Sequence, residues 1–278
     1  MTDPLPLNEY KQQIADTYSR RSPTYDQSDW HLQIAHRLVE YAQLHPGDQV
    51  LDIATGTAMA AIAAAQVVGA GGKVIGIDIS PGMLEQARRK VEELGLTNIE
   101  FLLADAESLN FPVNSFDCIL CSSALIWMEN VAGALQHWHQ FLKPGGLIGF
   151  HAFADTSFIG VVVVQKIVEK YGISLHFSKP TSTAAKCHDL LKISGYDCIE
   201  IKSEQYISYV SLEQAKQMWS GNEYLAPGQF PNPLLQLSTE QIEAVKSEFE
   251  LELSALETEK GIRNDITVFF TFGRKPVN

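Results

Sequence analysis

Between residues 48 and 151 the chain alternates short apolar runs with segments of helical length, and that alternation constrains the fold more than any other feature. The runs 49–53, 73–78, 99–103, one anchored by Cys118 to Cys121, and 147–151 read as strands, while 57–69, 81–95 and 129–142 read as helices. Strands separated by helices of this length pair in parallel through right-handed crossovers. The expected class is therefore α/β, with a mostly parallel, doubly wound sheet.

The flanks add to this core. Residues 7–21 and 30–44 read as helices, the second with Leu32, Ile34, Ala35, Leu38, Val39 and Tyr41 at mixed three and four spacings. Beyond 151 the pattern predicts helices over 156–173 and 182–193, then strands at 198–202 and 266–272. Between those two strands stand a helix near 211–219, a loop at 221–233 bearing Pro and Gly, and an amphipathic helix over 238–259. An excursion of that size suits a cap over a pocket better than an idle loop. The expected organisation is an N-terminal helical cover (1–45), a cofactor-binding core (46–210), an inserted helical cap (211–262) and a last core strand (263–278). A chain of 278 residues holds one such core with an insertion.

Charge excludes some partners. The 33 acids outweigh 21 Lys plus Arg, for a net charge of -12, whereas a phosphate backbone calls for a positive face. No nucleic-acid partner is expected. No membrane partner is expected either, because no apolar run reaches the ~20 residues a spanning helix needs. Met1-Thr2-Asp3-Pro4 carries neither a basic signal nor an Arg-rich leader, so the cytoplasm is the expected compartment. Cys118 and Cys121 form a C-x-x-C, but an odd spacing on a strand points the thiols to opposite faces. They read as core residues, not a metal pair.

The sharpest local signal is Val50-Leu51-Asp52-Ile53-Ala54-Thr55-Gly56-Thr57-Ala58, a strand running through small residues into an alanine-rich helix. Small side chains let a ligand approach the backbone, and the helix start offers free N–H groups. Asp78 closes the next strand, where an acid meets ribose hydroxyls in doubly wound folds. Asp105 follows the third strand, where an adenine amino group could lie. The turn lacks the full G-x-G-x-x-G of a dinucleotide site. Taken singly, Asp52 could only cap its turn and Met83 could only pack the core.

In combination the motifs are more specific. Val50 to Thr57, Gly76-Ile77-Asp78-Ile79-Ser80-Pro81-Gly82-Met83-Leu84, Ala104-Asp105-Ala106-Glu107, Phe116-Asp117 and Leu142-Lys143-Pro144-Gly145-Gly146 resemble the class I S-adenosylmethionine-dependent methyltransferases. The nearest likeness is to the small-molecule branch with the ubiquinone/menaquinone-biosynthesis methyltransferases, whose N-terminal aromatic and Tyr-Asp signature is similar to Tyr18 and Tyr25-Asp26. The resemblance implies a Rossmann-like seven-stranded sheet ending in an antiparallel hairpin, with S-adenosyl-L-methionine as cofactor. It implies that Asp52 and Gly56 meet the methionine end with Ala54 and Thr55 in the same turn, and Asp78 the ribose with Ile79 beside it. Met83 would face the adenine, Asp105 and Ala106 its edge, Ser122 the methionine portion, and Tyr18 and Tyr25 the closing wall. Ala58 departs from the family's third glycine, and Ile126-Trp127 stands where relatives often carry histidine.

Methyl transfer from a sulfonium needs alignment more than covalent help, and a base only where the acceptor must lose a proton. His151, at the end of the fifth strand, is the candidate base, and His31 the fallback. Trp127, Met128, Phe153 and Trp219 are candidate walls for a small, partly apolar acceptor. Two rival functions stay open on the sequence: an NAD(P)-dependent oxidoreductase and a non-catalytic S-adenosylmethionine-binding protein.

Overall fold

The computed structural model describes residues 5–27, 29–176, 179–219 and 229–277. Seven strands form one sheet in the order β3-β2-β1-β4-β5-β7-β6. They are β1 (Gln49–Ile53), β2 (Lys73–Asp78), β3 (Ile99–Leu103), β4 (Phe116–Cys121), β5 (Leu142–Phe153), β6 (Asp197–Val210) and β7 (Ile262–Arg274). β1 pairs in parallel with β2 and β4, β2 with β3, and β4 with β5. β7 runs antiparallel to β5: Gly145 and Lys275 pair near one end, Ala154 and Thr267 near the other. The order reverses at β1 and β4, which places the ligand crevice at the carboxyl ends of these strands.

Nine α-helices accompany the strands among the described residues: α1 (Glu9–Arg21), α2 (Asp29–Ala42), α3 (Met59–Val68), α4 (Pro81–Glu93), α5 (Val131–His139), α6 (Ile159–Glu169), α7 (Ala184–Ile193), α8 (Leu212–Lys216) and α9 (Thr239–Ala255). α2 buries Ile34, Ala35, Leu38, Val39 and Ala42, at about 1.5–3 kcal/mol for each large side chain. Leu32, expected on that face, is 39% exposed. Cys118 and Cys121 are both buried free thiols on β4. His137, Trp138 and His139 serve packing in α5, where the buried Trp138 Nε1 donates to the Ala106 carbonyl at 2.8 Å.

The chain divides into two compact units. One takes residues up to 151, 188–201 and from 270 on; the other takes 152–187 and 202–269, a wider span than 211–262. In the second unit Ile167, Val168, Val245, Phe249 and Leu253 build a core of their own. α9 starts on a reciprocal cap, with Ser238 accepting from the Gln241 amide and Gln241 from the Ser238 amide.

Element bounds differ from the sequence reading in several places: α5 and α6 are shorter than expected, at Val131–His139 and Ile159–Glu169, and β7 is longer, at Ile262–Arg274. β6 runs to Val210 instead of stopping near 202, since Ser203 to Val210 is too polar to stand out, as suits a strand at the sheet's edge. β5 begins at Leu142, because Pro144-Gly145-Gly146 lies inside the strand with Gly145 at φ 78°. The helix near 211–219 shrinks to Leu212–Lys216. The loop at 221–233 and the first four residues lie largely outside the described residues.

Candidate cofactor and acceptor site

The turn after β1 is strained and well held. Ala54, Gly56 and Ala58 take φ of 51°, 57° and 68°, and a left-handed alanine costs about 1–2 kcal/mol. Hydrogen bonds fix the conformation. The Thr55 amide donates to the Ile77 carbonyl at 2.8 Å, the Gly56 amide to Asp78 Oδ2 at 2.8 Å, and the Thr55 hydroxyl to Asp52 Oδ2 at 2.6 Å. Gly76 makes the approach possible, since a Cβ there would stand 2.8 Å from Thr55 Oγ1 and 2.9 Å from Phe101 Cδ1.

Two carboxylates are buried in this turn. Asp52 is 1% exposed, and its Oδ1 is buried with no hydrogen-bond partner. Burial pushes its pKa up to about 7; the Thr55 bond opposes the rise and the Asp78 charge adds to it. Asp78 accepts from the Ser80 and Gly56 amides, yet burial still lifts it to about 6. Each Asp78 oxygen keeps acceptor capacity for a ligand hydroxyl.

Above the turn lies a cleft of about 720 Å³. A neighbouring cavity of about 340 Å³ shares Tyr25, Ala54, Gly56, Ser122 and Ser123 with it and adds Asp52, Thr55 and His31. Every cofactor residue read from the sequence lines one of the two, with Asp52 and Thr55 lining only the smaller. Aromatic rings form one wall: Tyr18 meets Tyr25 at 6.1 Å and Trp127 at 5.9 Å, edge to face. Tyr25 stacks on His31 at 4.8 Å.

The cover is tied down by polar bonds. Asp26 accepts from the Thr57 hydroxyl at 2.6 Å and from Lys90 at 2.7 Å. The Ser19 and Ser80 hydroxyls bond at 2.8 Å. On α1, Lys11 Nζ reaches Asp105 at 2.7 Å, Glu107 at 2.9 Å and Glu129 at 3.4 Å. Asp105 thus lines the cleft with one oxygen on a lysine that the sequence reading did not single out. Glu107 also accepts from the Glu129 and Asn130 amides. Lys11 sits in a polar helix whose pattern carries no mark of a pocket.

The two histidines differ in access. His31 is half-buried on the smaller cavity; burial lowers its pKa, Arg21 adds to the fall and Asp26 opposes it. His151 is 3% exposed and lines neither cavity, lying instead behind Ser123, whose Oγ is 3.1 Å from His151 Nε2. Trp127 and Met128 do line the cleft. Phe153 and Trp219 do not: they belong to the second unit, where they pack on Phe158 and Phe249 at 5.0 and 5.5 Å.

A methyltransferase-domain model matches residues 50–146. Aklanonic acid methyltransferase DauC of Streptomyces sp. strain C5 is 38% identical over 143 residues, 51% of this chain and 65% of its own length. The ubiquinone/menaquinone biosynthesis C-methyltransferase UbiE of Francisella tularensis is 36% identical over 174 residues, 60% of this chain and 68% of its own. In fold, the chain is similar to a putative methyltransferase from Bacillus halodurans, with a TM-score of 0.60 at 20% identity, covering 88% of this chain and 99% of that one.

With this crevice at the sheet's reversal point, the chain belongs to the class I S-adenosylmethionine-dependent methyltransferases. Within that class it resembles the UbiE group, although the matched stretches span only about two thirds of those relatives. The residues fit the family's cofactor. A buried, unpartnered Asp52 oxygen suits the ammonium of an amino-acid end, and Asp78 suits a ribose diol.

Proposed function

We propose that this protein transfers a methyl group from S-adenosyl-L-methionine to an oxygen, nitrogen or carbon of a small, partly apolar metabolite. The observation that carries the reading is Asp78 on a cleft otherwise walled by Tyr18, Tyr25, Met83 and Trp127, with Asp52 on the adjoining cavity that shares Tyr25, Ala54 and Gly56 with it. When bound, the cofactor supplies an activated methyl on a sulfonium. The chain's own residues do the rest. Asp52 Oδ1 holds the amino-acid end, Asp78 the ribose, and Met83 with Ala106 encloses the base, while Asp105 shares its carboxylate between Lys11 and the base's edge.

Alignment of acceptor and methyl in a water-free cleft accounts for ~7–11 kcal/mol of such a barrier. The aromatic faces contribute ~0.5–2 kcal/mol toward a cationic centre. One relative is named for aklanonic acid and the other for ubiquinone and menaquinone. An apolar ring system as acceptor here is supported by Trp127 and Met128 on the wall. The acidic net charge supports a small molecule over nucleic acid; no described helix is long and apolar enough to cross a membrane. An oxidoreductase reading has less support, since Ala58 and Ala61 stand where a dinucleotide turn favours glycine.

The test is incubation with methyl-labelled cofactor and extract of the source cells, followed by mass spectrometry. A labelled metabolite that vanishes with Asp78→Ala is expected. Cofactor binding with no labelled product would leave a binding protein in place of an enzyme.

A further inference from the structure

Ser123 is shared by both cavities, and His151 lies directly behind it. We propose that Ser123 and His151 form a proton relay that serves oxygen and carbon acceptors: the acceptor's proton passes to Ser123 Oγ as the serine's proton passes to His151 Nε2. The proposal rests on the methyl-transfer reading and narrows its acceptor class.

Geometry carries it. His151 is 3% exposed and lines neither cavity, so the hydroxyl at 3.1 Å is its route to an acceptor. Ser123 takes φ 59°, a left-handed conformation that costs a non-glycine residue about 1–3 kcal/mol and marks positions where a side chain is held to a task. It follows β4, at the carboxyl edge of the sheet where the crevice opens.

The charge around His151 decides which acceptors the relay suits. His31 faces it from α2, Ser123 from the end of β4 and the Phe270 ring from β7 at 6.1 Å. Burial, with His31 adding, holds its pKa down at about 3. So weak a base takes no proton from a resting phenol, nor from a methylated alkylammonium, both of which hold it with pKa values of about 10. It does accept one from an oxygen or ring carbon that turns cationic as the methyl arrives. The acceptor's electron pair forms the new bond while the methyl–sulfur bond breaks and leaves its pair on sulfur. The acceptor's proton then goes to Ser123 Oγ and the serine's to Nε2, and the imidazolium returns its proton to water.

The experiment uses the full chain labelled with ¹⁵N-histidine and saturated with S-adenosylhomocysteine, with His151 assigned through H151Q. The expected imidazole is neutral from about pH 8 to about pH 5, with its proton on Nδ1. Its Nε2 signal is expected to shift in Ser123→Gly, a substitution that suits the positive φ. An Nε2-protonated tautomer, or signals unmoved by that substitution, overturns the relay without any acceptor present. A kinetic arm compares 2-naphthol with the alkylamine 2-naphthylmethylamine under methyl-labelled cofactor. Transfer to the naphthol is expected to fall ~100-fold in kcat in Ser123→Gly, with KM and S-adenosylhomocysteine affinity nearly unchanged. Undiminished kcat, or preferential methylation of the amine, contradicts the proposal. Failure of the methyl-transfer reading shows separately, as no affinity for S-adenosylhomocysteine.

Discussion

At Asp52, ionisation in the fold competes with burial. The folded pKa of about 7 lies above the ordinary 3.8, so the folded state binds more protons than the unfolded chain between these values. Its contribution to stability is present below about pH 4 and is lost as pH rises through about 7. Asp52→Asn should therefore gain on the parent as pH rises through that window, as measured by denaturant unfolding; a flat difference contradicts the assignment. An ammonium bound at Oδ1 favours the ionised form, so S-adenosylhomocysteine should bind more tightly above about pH 7 in the parent but without that slope in Asp52→Asn. Asp52 and Asp78 were legible in the sequence because a run of small residues follows Asp52 one position on and Asp78 closes its strand. Ser123 was not, because its role comes from a backbone angle and a partner 28 positions away.

At the scale of elements, α1 is locked on the cleft by Lys11 and by its approach to α4. Burial alone would lower the Lys11 pKa, but hydrogen bonds and charge from Asp105 and Glu107 raise it. Lys11→Ala leaves Asp105 and Glu107 facing each other without a cation, and a loss of about 1–3 kcal/mol in chemical unfolding is expected; an unchanged midpoint contradicts the lock. A Cβ at Gly82 would lie 2.9 Å from Ser19 Cα and 3.0 Å from the Ser19 carbonyl. Neither backbone atom can swing aside. Gly82→Ala is expected to push α1 off α4, costing about 1–3 kcal/mol and speeding limited proteolysis ahead of residue 22, whereas wild-type cleavage rates contradict it. Helical periodicity predicts that α1 and α2 exist. Where they dock depends on three-dimensional pairs such as Ser19 with Ser80, which no local spacing encodes.

Over the whole molecule, the alternation from 48 to 151 was enough to read the parallel half of the sheet, because each strand there is a short, mostly apolar run set between helices. The later strands were only half legible: β6 and β7 reach 14 and 13 residues, with polar stretches that hydrogen bonding, not hydropathy, holds in the sheet. Phe153 and Trp219 show the same limit, since aromatic character alone did not reveal that they pack in the second unit. Methyl transfer at this cleft requires that the cleft take an adenosyl sulfonium. Calorimetric titration of the full chain with S-adenosylhomocysteine, beside its Asp78→Ala variant and beside NADH, tests this most directly. One site per chain is expected, weakened at least about tenfold by the substitution, which corresponds to about 1.4 kcal/mol, with no heat from NADH. Binding of NADH with none of S-adenosylhomocysteine, or equal affinity in the variant, would contradict it.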